Sequence, residues 1–393
     1  MKSSRVYDTC LLSTITKKKI EKNTDLKYSV ILSNSSKHGI VPQNIQFDKN
    51  IANEENIDRY YVVKIGDFIY NPRISTTAPC GPINQNDCCD GVVSPLYTVF
   101  SCKTERVYDK YLKYYFQTSM WHEYIRSVAN TGARHDRMNV SDKDFFSMLI
   151  KLPPIAEQRK IVEILSAQDR IIELKTKLLE EKKRLKKYLC QVLLSGKRRF
   201  SSFSDKWKQN PLSDFLTESR LRGSNGMTAK KLTVKLWGKG VTEKKETLSG
   251  SENTAYFRRT KGQFIYSKLD FLNGAFGIIP DELDGYESTI DLPAFDVHHI
   301  NTEFLLLCVS DAAFYKRNGA IANGGRKAKR INPNDFLSFC INHPSLSEQT
   351  SIVDVFRRVD EVITLCENEI KQEQFKKKAL MQQLLTGKIR VKV

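Results

Sequence analysis

The chain has 393 residues, 40% of them hydrophobic and 10% aromatic, and a formal net charge of +18 at pH 7. This length and composition imply two or three folded domains with their own cores and exclude a disordered chain; no apolar run approaches the ~20 residues of a membrane span. A cationic surplus of this size draws polyanions, nucleic acid first and acidic membrane second.

The N-terminal segment lacks the apolar stretch of a signal peptide, so the expected location is the cytoplasm. Strand character, β-branched and aromatic, marks residues 60–65, 68–70 and 96–100, and residues 110–128 have helical character. From about Ile155 to Ser195 a long amphipathic helix follows Pro153-Pro154 and ends at Leu-Leu-Ser-Gly-Lys, where Gly196 suits a left-handed stop. A polar, basic linker over residues 196–211 leads to a second mixed region. There residues 232–236 and 263–266 read as strands, and residues 303–317 as helix. After Pro344 a second long helix begins, where Ser345 and Glu348 have capping-box spacing, and it ends at Leu-Leu-Thr-Gly-Lys with Gly387 at the stop.

Residues 348–388 repeat residues 157–197 without a gap at a separation of 191 (348 − 157), and 15 of the 41 pairs are identical. The repeat extends weakly into the globular regions: Gly66-Asp67-Phe68-Ile69-Tyr70 matches Gly262-Gln263-Phe264-Ile265-Tyr266. Leu12-Ser13 matches Leu212-Ser213, and Asp90-Gly91 matches Asp284-Gly285. In the second helix, apolar residues alternate at four and three: Ile352, Phe356, Val359, Ile363, Cys366, Ile370, Leu380 and Leu384. The first follows more loosely with Ile161, Leu165, Ile172, Leu179, Leu185, Leu189 and Leu193. A period near 3.5 is a coiled-coil seam, and a helix of about 38 residues spans roughly 57 Å. The nearest partner for each seam is the other copy. Antiparallel pairing keeps the two globular modules apart, related by a pseudo-twofold axis, whereas parallel pairing would crowd them and the basic tails at residues 182–187 and 376–378.

Leu152-Pro-Pro-Ile-Ala-Glu-Gln-Arg-Lys-Ile-Val-Glu-Ile-Leu165 is echoed by His343-Pro-Ser-Leu-Ser-Glu-Gln-Thr-Ser-Ile-Val-Asp-Val-Phe356. On these motifs, over essentially its whole length, the chain resembles the specificity subunit of Type I restriction-modification systems. The resemblance implies an α+β fold: two mixed α/β target-recognition domains, each followed by a long helix, the helices pairing as an antiparallel coiled coil. The expected boundaries are 1–152 and 198–343 for the domains, with helices over 153–197 and 344–393. It also implies a non-catalytic chain that gives a phage-defence complex its DNA sequence specificity. Each domain would read one half of a bipartite site, with the helix pair as spacer ruler. The implied partners are double-stranded DNA, two methyltransferase subunits and the restriction/translocase subunits. No cofactor is implied in this chain; S-adenosylmethionine, ATP and magnesium belong to the partners. Three departures stand out: Gln263 replaces the acid of Asp67, His343 precedes Pro344, and the first domain shows no counterpart to the Trp207 segment.

A reader of base edges needs polar side chains on projecting loops, flanked by cations for phosphates. Two segments at equivalent positions before the helices fit. The first holds Thr131, Gly132, Arg134, His135, Arg137 and Asn139, the second Asn323, Gly324, Gly325, Arg326, Lys327, Lys329 and Arg330. Glycine admits close backbone approach, and arginine pairs bidentately with phosphate or guanine. The segments after the duplicated strands are the other candidates: Asn71, Arg73, Ser75, Thr76 and Thr77, then Ser267, Lys268 and Asn273. The lysines at 182–187 could follow a DNA backbone, but cations late in a helix also complement its dipole, the preferred reading.

The rival readings have weaker support. An enzyme would need an adenine-methyltransferase Asn-Pro-Pro-Tyr motif, a nuclease acid-lysine core or a glycine-rich cofactor loop, and the chain carries none of them. Adjacent Cys88-Cys89 and His298-His299 lack the spacing of a metal site. The remaining alternative is a non-catalytic DNA-bridging or scaffold protein, which would bind any duplex rather than one bipartite site.

Overall fold

Phe68–Tyr70 is an inner strand of a four-stranded antiparallel sheet, and Phe264–Tyr266 is the matching strand of a second such sheet. The structure, a computed structural model, describes residues 7–46, 54–103, 105–130, 136–245, 251–321 and 330–393. The chain divides into two units, Met1–Thr176 with Asn368–Val393, and Lys177–Glu367. Each holds one α/β domain, part of one long helix and part of the other.

The first unit's sheet runs Thr16–Lys19, Thr98–Cys102, Phe68–Tyr70, Ile83–Gln85. The second unit's runs Leu216–Ser219, Ala294–Val297, Phe264–Tyr266, Phe276–Ile278, the same order in the same chain sequence. Strand alternation divides the duplicated triplet identically in both. Phe68 and Tyr70 face the large aromatic core, stacking on Phe100 and Phe145, while Ile69 packs on the other face with Leu32, Ile40 and Val99. Phe264 and Tyr266 likewise face Phe336 and Phe295, and Ile265 turns to Leu232, Val234 and Val241.

The turn before each triplet is also shared. Gly66 and Gly262 adopt φ of +94° and +80°, where a side chain would be strained. Asp67 accepts from the Lys64 N–H at 2.7 Å, and Gln263 from the Thr260 N–H at 2.9 Å. The Asp-to-Gln departure therefore keeps its role, because an amide oxygen accepts as a carboxylate does. Asp90 and Asp284 each accept a turn N–H at 2.9 Å, from Ile65 and Lys261.

A two-stranded ribbon leads into each long helix: Asp8–Leu11 with Leu149–Leu152, and Lys208–Pro211 with Cys340–His343. The first domain does have a counterpart to Trp207. The Tyr7 ring packs against Gly387 as the Trp207 ring packs against Gly196. A phenol in place of an indole hid the match.

The long helices are Ile155–Leu193 and Leu346–Leu384, 39 residues each. Both stop at the expected glycines, with φ of +68° at Gly196 and +75° at Gly387. Pairing is antiparallel within each unit, since over successive turns partners fall on one helix as they rise on the other. The first unit joins Gln168 to Glu373 at 2.7 Å, Lys175 to Glu369 at 3.1 Å and Asp169 to Lys377 at 2.6 Å. In the second unit Lys183 meets Glu367 at 3.1 Å and Lys186 meets Asp360 at 2.6 Å. Ile161, Leu165, Leu179 and Leu193 are buried on one helix, as are Ile352, Phe356, Cys366 and Leu384 on the other.

Four expectations change. Leu185 lies off the seam and is 42% exposed, because the 4-3 stripe passes through Lys182 and Lys186. Lys183 and Lys186 pair across the helices and lie well before the last turn, so they do not serve the dipole. The capping box does not form: Arg199 takes both Glu348 carboxylate oxygens, at 2.9 and 2.7 Å. Finally, the helices expected over 110–128 and 303–317 are each two: Asp109–Phe116 with His122–Val128, and Thr302–Ser310 with Ala312–Asn318. Thr118 Oγ1 donates to the Tyr115 carbonyl at 2.7 Å, and Asp311 is extended, so each break has a local backbone cause.

Candidate nucleic-acid interface

In each unit the loop after the duplicated strand meets the segment before the long helix. In the first, the Ile74 N–H donates to the Asp136 carbonyl at 3.0 Å, and the Met138 N–H to the Pro72 carbonyl at 2.9 Å. This pairing sets Arg73 opposite Arg137 as an antiparallel bridge. Two guanidinium groups opposite each other repel. The counter-charge between them is Asp136, at 3.8 Å from Arg73 and 3.9 Å from Arg137. Both arginines also act on Tyr97, whose hydroxyl burial pushes up while Ser33, Arg73 and Arg137 pull it back. Tyr97 and Arg73 line a polar cleft of about 410 Å³ with Ser33, Asn34, Gln43 and Ser75. Such a cleft has the donors and cations to take a phosphate or a base edge.

The candidate residues here divide by orientation. Asn71 is buried, donates to the Asn34 carbonyl at 3.1 Å and accepts from the Arg73 N–H at 3.0 Å, so it holds the loop. Ser75 caps the turn by accepting from the Ala78 N–H at 3.1 Å, and Thr77 lies 2.8 Å from the Ser36 hydroxyl. Thr76, Arg73 and Asn139 are exposed. A larger groove of about 810 Å³ in this unit lies between Ser36, Thr77 and Trp121 on one side and Lys377, Lys378 and Lys388 on the other.

The second unit repeats the junction with other residues. The Ile331 N–H donates to the Lys268 carbonyl at 3.2 Å, bringing Arg330 beside Lys268. Burial lowers the Lys268 ammonium below its usual range; Asp291 and Glu218 oppose this, and Arg220 and Arg330 add to it. Arg330 is 3.7 Å from Asp291. Ser267 is buried and accepts from the Asp270 N–H at 3.1 Å, and Asn273 donates to Asp270 at 3.2 Å. Both brace the loop from inside.

Thr131, Gly132, Arg134, His135, Asn323, Gly324, Gly325, Arg326, Lys327 and Lys329 lie outside the described residues. The sequence reading missed Tyr97 and Arg220, which carry no motif and reach the cleft and the cation cluster only through strand pairing. It noted the repeated Glu-Gln without its role. Gln158 accepts from the Tyr108 N–H at 2.7 Å and Gln349 from the Asn301 N–H at 2.9 Å, tying each helix start to its own domain. Among the described residues, no group of three or more His, Cys, Asp or Glu is placed to hold a metal, and no helix is long and apolar enough to cross a membrane.

The family model of the Type I restriction modification DNA specificity domain matches the chain twice, over residues 8–184 and 189–373. The chain belongs to the Type I specificity-subunit family. The Type I restriction enzyme MjaVIII specificity subunit of Methanocaldococcus jannaschii is 25% identical over 334 residues, covering 77% of this chain and 75% of that one. Two solved structures share the fold. The HsdS subunit from Thermoanaerobacter tengcongensis has TM-score 0.53 at 15% identity, covering 99% of both chains. A chain from a structural study of type I R-M complex assembly and conformational transition has TM-score 0.61 at 14% identity, covering 99% of this chain and 100% of that one. Specificity subunits are non-catalytic components of their complexes.

Proposed function

We propose that this specificity subunit reads a split, asymmetric DNA site, each domain taking one half and the helix pair setting the spacer. The observation that carries this reading is the duplicated junction: the same sheet order and strand turn bring Arg73 beside Arg137 in one unit, and Arg330 beside the buried Lys268 in the other. A common frame with unlike side chains suits two half-sites of unlike sequence. In this reading Arg73, Arg137, Thr76 and Arg330 touch DNA, together with the basic segments at 131–135 and 323–329. Domain limits of 1–152 and 198–343 fit the ribbons that close each module. The subunit acts in the cytoplasm with double-stranded DNA, two methyltransferase subunits that bring S-adenosylmethionine, and restriction subunits that bring ATP and magnesium.

The helices also expose apolar side chains beyond the seam: Leu174 and the 73%-exposed Phe375 in the first unit, Leu178 and Leu365 in the second. These helix faces are the surface assigned here to the methyltransferase subunits. Removing one heptad from both helices tests the ruler. Seven residues span about 10 Å of helix, roughly three base pairs. The methylated motif of the cell should keep both half-sites and lose about that much spacer. Altered half-sites with an unchanged spacer would sink the ruler, and equal binding to all duplexes would favour a bridging scaffold.

A further inference from the structure

The hairpin Leu232–Val234 with Val241–Glu243 ends in the tip Lys235-Leu236-Trp237-Gly238-Lys239-Gly240. Trp237 is 61% exposed, an unusual position for the largest apolar side chain. Its φ is +60°, in the left-handed region that a bulky residue avoids. The surroundings impose this: the Trp237 N–H donates to the Asn273 carbonyl at 2.9 Å and the Gly238 N–H to the Gly274 carbonyl at 3.0 Å. The loop holding Ser267, Lys268 and Asn273 is thus a pedestal, and what it presents to solvent is an aromatic ring between two exposed lysines. Strain of this kind, maintained at an exposed residue, accompanies function more often than stability.

The first unit has the same device with different contents. Its hairpin Leu32–Ser35 with Gly39–Pro42 leans on the strand Phe68–Tyr70 through Asn34 to the Ile69 carbonyl at 2.7 Å, and on the loop after it through Asn71 to the Asn34 carbonyl at 3.1 Å and Ser36 to Thr77 at 2.8 Å. Its tip is Ser36-Lys37-His38, exposed and with no large apolar side chain. Two equivalent hairpins on equivalent pedestals therefore carry unlike tips, one polar and one aromatic.

We propose that the Trp237 hairpin is the base-contacting wedge of the second domain, with Trp237 pressed against a base step and Lys235 and Lys239 on the flanking phosphates. Duplex DNA suits the tip by charge, and apolar side chains inserted between base steps are an established mode of contact. The first domain's tip, lacking such a ring, reads its half-site by polar contacts. The inference rests on the split-site reading proposed above.

The test uses the full chain with its methyltransferase subunits and the split motif mapped from the cell's methylated DNA. Trp237→Gly relieves the left-handed strain, so its Tm should equal or exceed that of the unaltered chain. On a duplex bearing the motif it should bind at least tenfold more weakly. In cells the half-site read by the second domain should relax, with the other half and the spacer unchanged. Trp237→Phe should retain most binding. Trp121 is buried and Trp207 partly so; Trp237 should therefore dominate acrylamide quenching of the free protein and lose that accessibility on the duplex. Unchanged affinity and motif in Trp237→Gly would overturn the wedge, as would a lowered Tm, which would make the residue structural. If the unaltered complex methylates no split motif, the split-site reading fails and takes the wedge with it. Failure confined to the variants leaves that reading standing.

Discussion

Arg390 closes on Glu157 as a two-pronged fork, its Nε at 2.9 Å from one carboxylate oxygen and a terminal nitrogen at 2.7 Å from the other. Arg199 grips Glu348 with the same two distances; the two arginines, like the two glutamates, stand 191 residues apart (390 − 199, 348 − 157). The segment that leaves each long helix thus locks the start of the other helix. Glu157 and Glu348 are almost wholly buried. A fork in fixed geometry matches a carboxylate as no lysine would.

Arg390→Ala and Arg199→Ala each leave a buried carboxylate without its cation. Each should lower the stability of its unit, because a buried carboxylate left without its cation costs more than the pair contributed. Urea unfolding of the single variants measures it. Arg390→Lys should fall between, keeping the charge but losing the second prong.

Acid should act through the same contact. Burial by itself would raise the Glu157 carboxyl; the Arg390 fork, the Val391 N–H and the Tyr7 hydroxyl override it and hold it below the usual glutamate range. A carboxyl depressed in the folded state contributes stability above its unfolded value of about 4.3, and that contribution is lost as pH falls through the folded value. The stability gap between the unaltered chain and Glu157→Gln should therefore be constant near neutrality and shrink below about pH 4. A gap that widens on acidification would contradict the assignment.

Gly387→Ala should cost about 1–2 kcal/mol for its left-handed backbone alone. A methyl there would also lie 3.0 Å from the Tyr7 ring, so the ring must move. Gly196→Ala meets Trp207 at 3.4 Å and should cost less. Thermal unfolding of the two variants orders them.

Arg137→Ala and Arg73→Ala distinguish base reading from phosphate holding. Loss of about 1–3 kcal/mol with relaxed sequence preference at one position marks a base contact, whereas uniform weakening and a shallower salt dependence mark a phosphate contact. With Asp136 shared between them, the double variant should weaken binding by less than the sum of the single ones.

Phe375→Asp should leave the Tm of the isolated chain unchanged, because the side chain is exposed. Co-purification with the methyltransferase subunits should nevertheless fall. Full recovery of the complex would remove this face from the docking surface.

The frame was legible because its signals are local. Period, proline starts and glycine stops repeat at one spacing, and the ends of both helices follow from them. The gapless repeat ends at Lys197 and Lys388, two residues short of Arg199 and Arg390, so the partners of its most conspicuous glutamates lie just outside it. The domains were harder because their strands run from two to five residues and pair over long separations, as Phe68 does with Phe100. Nothing local marks Lys268 as buried or Trp237 as exposed. Both depend on how one loop folds under a hairpin. The convergence of Arg73 with Arg137 likewise needs a bridge between segments some sixty residues apart.

Tyr7 and Val391 both reach the same Glu157 oxygen, at 3.4 and 3.0 Å. The beginning and end of the described chain therefore meet within the first unit, close enough for a short covalent join. Which module comes first is then a matter of where the chain is cut. A chain opened within residues 200–206 and joined through its present ends would list its modules in reverse and retain every clasp.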